Sequence, residues 1–165
     1  MALTDFTSYN EVRSALGVNI DELQDSELSL ELYELGLKVE LKTLGASLIS
    51  SYTTAKATPP GSRTEQEEDL VTAVRLFATY SVARQLTTSL PLFSPKEMGD
   101  NKALMVRYST DPYKEVIKGI KSKYEEYKEY LQTVFAAYNS TTRAATRRTY
   151  LGIAQSTTVD PVTGS

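Results

Sequence analysis

The chain has 165 residues, enough for one domain with a sizeable core and short for two. Its 41% hydrophobic and 24% charged residues are those of an ordinary soluble globular protein, and its net charge of −3 splits into −8 over residues 1–69 and +5 over residues 70–165. With no His and no Cys, the sequence excludes disulfides, thiolate or imidazole metal sites and every Ser–His or Cys–His nucleophile, while chemistry by carboxylates or Lys remains possible.

The first element is a short helix. Ser8 followed by Glu11 has capping-box spacing, Val12 and Leu16 give a small apolar face, and Gly17 stands where a C-terminal cap belongs. The stretch VNIDELQDSELSL then reads as a turn with acidic caps at Asp21 and Asp25. A long second helix is expected from about Asp25 or Ser29 to about Ala55. Leu28, Leu32, Leu35 and Val39 form one stripe on it, and Leu30, Tyr33, Leu37, Leu41, Leu44 and Leu48 a second beside it. Two adjacent stripes predict a helix with partners on two sides. Gly36 and Gly45 within it point to close packing or a bend.

Pro59, Pro60 and Gly61 end that helix. Thr64 and Glu67 open the third with another capping box, and Leu70, Val74, Phe77, Ala78, Ser81, Val82, Leu86 and Leu90 mark its buried face up to Pro91. Residues 92–110 have a weak pattern in which KALMVRYS reads equally as short helix or extended chain. Asp111 and Pro112 then open the last long helix, whose seam runs through Tyr113, Ile117, Ile120, Tyr124, Tyr127, Leu131, Val134 and Tyr138. The expected architecture is all-α: a bundle of three long helices plus one short N-terminal helix over residues 1–139. Residues 140–165 follow as an extended C-terminal arm that orders on a partner.

No constellation for chemistry converges. Glu65, Glu67, Glu68 and Asp69 are explained by the helix dipole, and the PPGSRT loop lacks the Gly-rich, Lys-Ser/Thr pattern that cradles phosphate. The reading is of a protein with no catalytic, cofactor-binding or metal-binding residues. Binding residues are expected instead at Tyr130, which falls off the last helix's seam, and in the tail, where Arg143, Arg147, Arg148, Tyr150, Leu151 and Ile153 combine positive charge with apolar groups. No run of 18 apolar residues predicts a bilayer span, and the acidic, polar start is not that of a signal peptide.

The opening DFTSYNEVRSALGVNIDELQDSELSLELYELGLKVEL resembles the N-terminal part of head–tail connector (adaptor) proteins of tailed double-stranded DNA bacteriophages, in which a short helix ending in LGV leads through an acidic turn into a long amphipathic helix. The closing TTVDPVTGS resembles the ends of the same group. The resemblance covers about the first 45 residues and the last few. It implies a structural virion protein of the neck, assembled in the host cytoplasm as a ring, commonly of twelve copies. Its partners would be further copies, the portal protein, a tail or nozzle protein, and the genomic DNA that passes through the channel without sequence-specific binding. No membrane is involved. A different class of reading is a cytosolic helical interaction module that binds one partner helix along the wide face of the second helix.

Overall fold

A computed structural model describes residues 2–87, 97–100, 103–106 and 113–154, with side chains over 2–87 and 114–141. The chain is mostly helical, as expected for an all-α protein. Its helices are α1 (Tyr9–Leu16), α2 (Asp25–Leu28), α3 (Glu31–Leu44), α4 (Leu48–Ala57), α5 (Glu65–Leu86) and α6 (Tyr113–Ala154). A 3₁₀ turn at Leu3–Asp5 precedes them. Between α5 and α6, β1 (Glu97–Asp100) pairs antiparallel with β2 (Ala103–Val106), Glu97 opposite Val106 and Asp100 opposite Ala103. The ambiguous KALMVRYS segment is therefore extended through its apolar part.

The centre of the fold is α5. Its side chains from Leu70 to Leu86 are buried around most of the circumference, among them Ala73, Val74, Phe77, Ala78, Val82 and Ala83. A helix buried around most of its circumference needs neighbours on several sides, and α1, α3, α4 and α6 supply them. Its start follows from the sequence: Thr64 Oγ1 accepts from the Glu67 amide at 3.3 Å while Glu67 accepts from the Thr64 amide at 2.8 Å. The same reciprocal pair opens α1, between Ser8 and Glu11, and Gly17 closes that helix in the left-handed conformation at φ 72°.

The expected long second helix is instead three pieces. The first break, at Ser29–Leu30, belongs to the turn after α1. There the buried Arg13 donates from Nε to the Leu23 carbonyl at 2.7 Å and from Nη1 to Asn10 at 2.9 Å, and pairs with Asp25. These bonds hold Leu23 and Leu28 in the core. Asn19, not Asp21, caps the turn, accepting from the Asp21 and Glu22 amides at 2.8 and 3.1 Å. The second break lies at Gly45, between α3 and α4, where the backbone is extended. A Cβ on Gly45 would overlap Cε1 of Phe135 on α6, so the missing side chain is what lets that ring reach the bend. Gly45 thus marks both the bend and the close packing expected of it.

Along α6 the seam is as read from Ile117 on, the Tyr113 side chain lying outside the described residues. Ile120, Tyr124 and Leu131 are buried, Ile117, Tyr127, Val134 and Tyr138 half-buried, and Phe135 adds a buried ring outside the expected set. Phe77 meets Tyr124 with centroids 5.5 Å apart, and Tyr80 meets Tyr127 at 5.1 Å, so aromatic pairs join α5 to α6. The helix does not stop at Tyr138. It runs to Ala154, so residues 140–154, expected as extended arm, are helical; residues 155–165 of that arm lie outside the described residues. The reason is local. No Gly or Pro occurs from Ile120 to Leu151, and Ala and Arg, both good helix formers, dominate beyond Thr142.

Two glycines test this packing in opposite directions. Gly45→Ala pushes on Phe135 and is expected to cost about 1–3 kcal/mol, lowering Tm by several degrees. Gly119→Ala, where a Cβ would meet nothing within 4 Å, is expected to raise Tm, because helical Ala is favoured over Gly by about 1 kcal/mol. Thermal melts of both variants check the pair, and equal shifts would contradict the packing at Phe135.

Candidate interaction surface

The residues expected to bind partners all fall on α6, but they do not form one site. Tyr130 is 40% exposed, as its place off the seam requires. Arg143 lies thirteen residues further on, about 20 Å along the axis. Arg143, Arg147 and Leu151 follow at steps of four on the helical backbone, together with Arg148, Tyr150 and Ile153; their side chains lie outside the described residues.

A second surface was legible only as half of a wider face. On α3, Leu37 and Leu41 are fully buried and Tyr33 and Leu44 half-buried, so one of the two stripes packs on the core. From the other stripe only Leu28, on α2, is buried. Leu32 is 70% exposed, Leu35 50% and Val39 61%, with Leu30 at 53% just before them. The expectation of partners on two sides is met within the chain on one side only. Helical periodicity showed both faces; what it lacked was the number of neighbours available to cover them.

Polar groups beneath α3 explain its orientation. Glu40 accepts from Arg84 at 2.5 Å and from the Ser81 hydroxyl at 2.7 Å, tying α3 to α5. The Arg84 guanidinium also lies 4.2 Å from the centroid of the Tyr124 ring on α6. Burial, then the Glu40 charge, raises the Tyr124 phenol above its ordinary pKa. Gly36 sits beside Gln85, whose Oε1 would be 2.9 Å from an added Cβ. With Glu40, Gly36 and Leu37 turned inward, Leu32, Leu35 and Val39 face away from the core.

Elsewhere the polar contacts fasten one element to another. On α1, Glu11 pairs with Arg75 of α5 at 2.5 Å; burial raises the Glu11 pKa, but bonds from Arg75 and Ser8 outweigh it and leave a net lowering. Tyr52 on α4 stacks on Phe6 at 5.4 Å and donates to the Asp5 carbonyl at 2.5 Å. Burial, and secondarily the Asp5 charge, pushes its phenol up to about 12. Among the described residues no three His, Cys, Asp or Glu side chains are grouped to hold a metal ion, and no helix is long and apolar enough to cross a membrane. No protein-family model, curated protein or solved structure matches this chain.

The titrating groups give two opposite pH dependences. Because the folded pKa of Tyr52 lies above the ordinary 10.0, its contribution to stability is full below pH 10 and lost as pH rises through about 12. Because that of Glu11 lies below the ordinary 4.5, its contribution is full above that value and lost as pH falls. A tyrosinate absorbance titration should show a phenol ionising near pH 12 that Tyr52→Phe removes, and Glu11→Gln should flatten the acid side of Tm against pH. Titration and melting curves that match the wild type would contradict these assignments.

Proposed function

We propose that this chain is a head–tail connector subunit of a tailed double-stranded DNA bacteriophage. In this reading it is a structural protein of the virion neck that assembles as a ring, dodecameric as in the proteins it resembles, beneath the portal. It joins the portal to the tail or nozzle and leaves a channel through which DNA passes. The observation that carries the assembly reading is the outer face of α3, where Leu32, Leu35 and Val39 stand in water opposite an already complete inner face. The charge split supports it, since an acidic flank on one copy can meet a basic flank on the next. The resemblance of the first 45 or so residues and of TTVDPVTGS supplies the connector role itself.

In this reading the far end of α6 and the residues after it reach the portal or tail component. Arg143, Arg147 and Arg148 bring positive charge, and Tyr150, Leu151 and Ile153 bring apolar contact area. The alternative, a cytosolic helical module that takes one partner helix, draws on the same α3 face, which is one helix wide. The two differ in stoichiometry: the module binds once, and the connector repeats.

A truncation separates the arm's role from the fold. The last buried side chain described on α6 is Phe135 and the last half-buried apolar one Tyr138, so deleting residues 140–165 removes none of the described core. Tm is expected to change by no more than about 2 °C, in line with about 0.5 kcal/mol for surface changes, while docking onto purified phage portal is lost. Normal docking by the truncated chain would contradict the role given to this segment.

A further inference from the structure

Leu32, Leu35 and Val39 follow one another at steps of three and four on α3, on the side opposite Leu37 and Leu41, and Leu30 stands exposed just before them. A single exposed leucine is ordinary; four large apolar side chains on one short stretch make a face that water covers poorly. The charges beside this face are ordered along the helix. Glu31, Lys38 and Lys42 follow at steps of seven and four, which sets them in one line along the edge next to Leu35. Glu31 and Lys42 are exposed and make no ion pair among the described residues, while Lys38 holds Glu34 one turn back. The other edge, at Gly36 and Thr43, carries no charge, and Glu40 beyond it is taken by Arg84.

That order gives the face two unlike ends. Its start is negative, with Asp21 and Glu27 exposed ahead of Glu31 in the chain, and its end is positive. Two copies laid in the same direction would set acid on acid and lysine on lysine. Laid in opposite directions, they set each negative start against a positive end and oppose their helix dipoles.

We propose that the outer face of α3 docks on the same face of a second copy, the two helices running antiparallel about a two-fold axis. With that axis midway along residues 30–39, Leu30 of one copy lies against Val39 of the other, Leu32 against Leu35, and Glu31 against Lys38, with Lys42 one turn further on. Each contact occurs twice. Four large side chains per copy bury less than the about 800 Å² per partner of a standard interface, so the dimer is weak, with a Kd of about 10–100 μM. A two-fold pair uses up both faces and does not propagate, so it describes the free chain. In the connector reading the pair opens when each copy takes its neighbours in the ring; the pairing itself does not rest on that reading.

Sedimentation velocity of the full-length protein at low salt tests the pairing. The wild type is expected to pass from monomer to dimer between about 1 μM and about 1 mM, and Leu32→Gln/Leu35→Gln/Val39→Gln to stay monomeric throughout. Glu31→Lys, and separately Lys38→Glu/Lys42→Glu, set like charges against each other at both symmetric places and should weaken the dimer about tenfold. All three changes in one chain restore opposite charges and should recover association, which a variant damaged in folding would not do. High salt should shrink these differences. A wild type monomeric up to about 1 mM, an apolar-to-Gln variant that associates like wild type, or a full charge swap no tighter than its partial variants would overturn the pairing. So would shielding of the thiol introduced by Leu35→Cys from a small maleimide at about 1 μM, where the chain is monomeric, since the chain would then cover its own stripe. Portal rings built by a chain that never dimerises alone would overturn this pairing and leave the connector reading standing; dimers that ignore the portal would do the reverse.

Discussion

The constraint on which this fold depends is the burial of α5 around most of its circumference. A helix carrying Leu70, Ala73, Val74, Phe77, Ala78, Val82, Ala83 and Leu86 has no polar side broad enough to face water. Every other long element is placed by the need to cover it: α1 through the Thr7–Thr79 hydroxyl contact at 2.6 Å and the Glu11–Arg75 pair, α3 through Glu40 and Arg84, and α6 through two aromatic pairs. Small residues at 73, 78 and 83 let the neighbours come close. Covering a cylinder from several sides also fixes how much of each covering helix is used. For α3 that is one stripe, and the second is left over.

Much of this was legible in the sequence because it is written in local chemistry. Capping boxes at Ser8/Glu11 and Thr64/Glu67, the left-handed Gly17 and the seam of α6 each depend on residues within one or two helical turns of each other. Where the reading went astray, a distant residue decides the outcome. Periodicity carried one helix through residues 29–30 and 45–47. Arg13, twelve residues before Asp25, holds the first break, and Phe135, ninety residues after Gly45, occupies the second. The helical course of 140–154 was missed for a different reason. A segment without apolar period shows no helical face of its own and reads as an extended arm, although Ala and Arg propagate a helix that an upstream core has already nucleated.

The candidate surface shows the same division. Tyr130 was placed outside the seam by arithmetic alone, and it is exposed. The α3 stripe was also visible, but as a buried face, because a sequence pattern records apolarity and not the neighbour that satisfies it. That excess of apolar surface over the described residues that could cover it is what the proposed assembly rests on. A chain that leaves Leu32, Leu35 and Val39 exposed beside an acidic surround carries an apolar face that its own described residues do not cover. The connector reading sets that face against a neighbouring copy in a ring and gives the far end of α6, with the residues beyond it, the task of reaching the portal and the tail.

The central claim is that the chain works by repeating, not by reacting. Electron-microscope imaging of the full-length protein mixed with purified phage portal tests it most directly. The account predicts a closed ring of copies seated on the portal. Portal particles left bare in the presence of excess protein would contradict it.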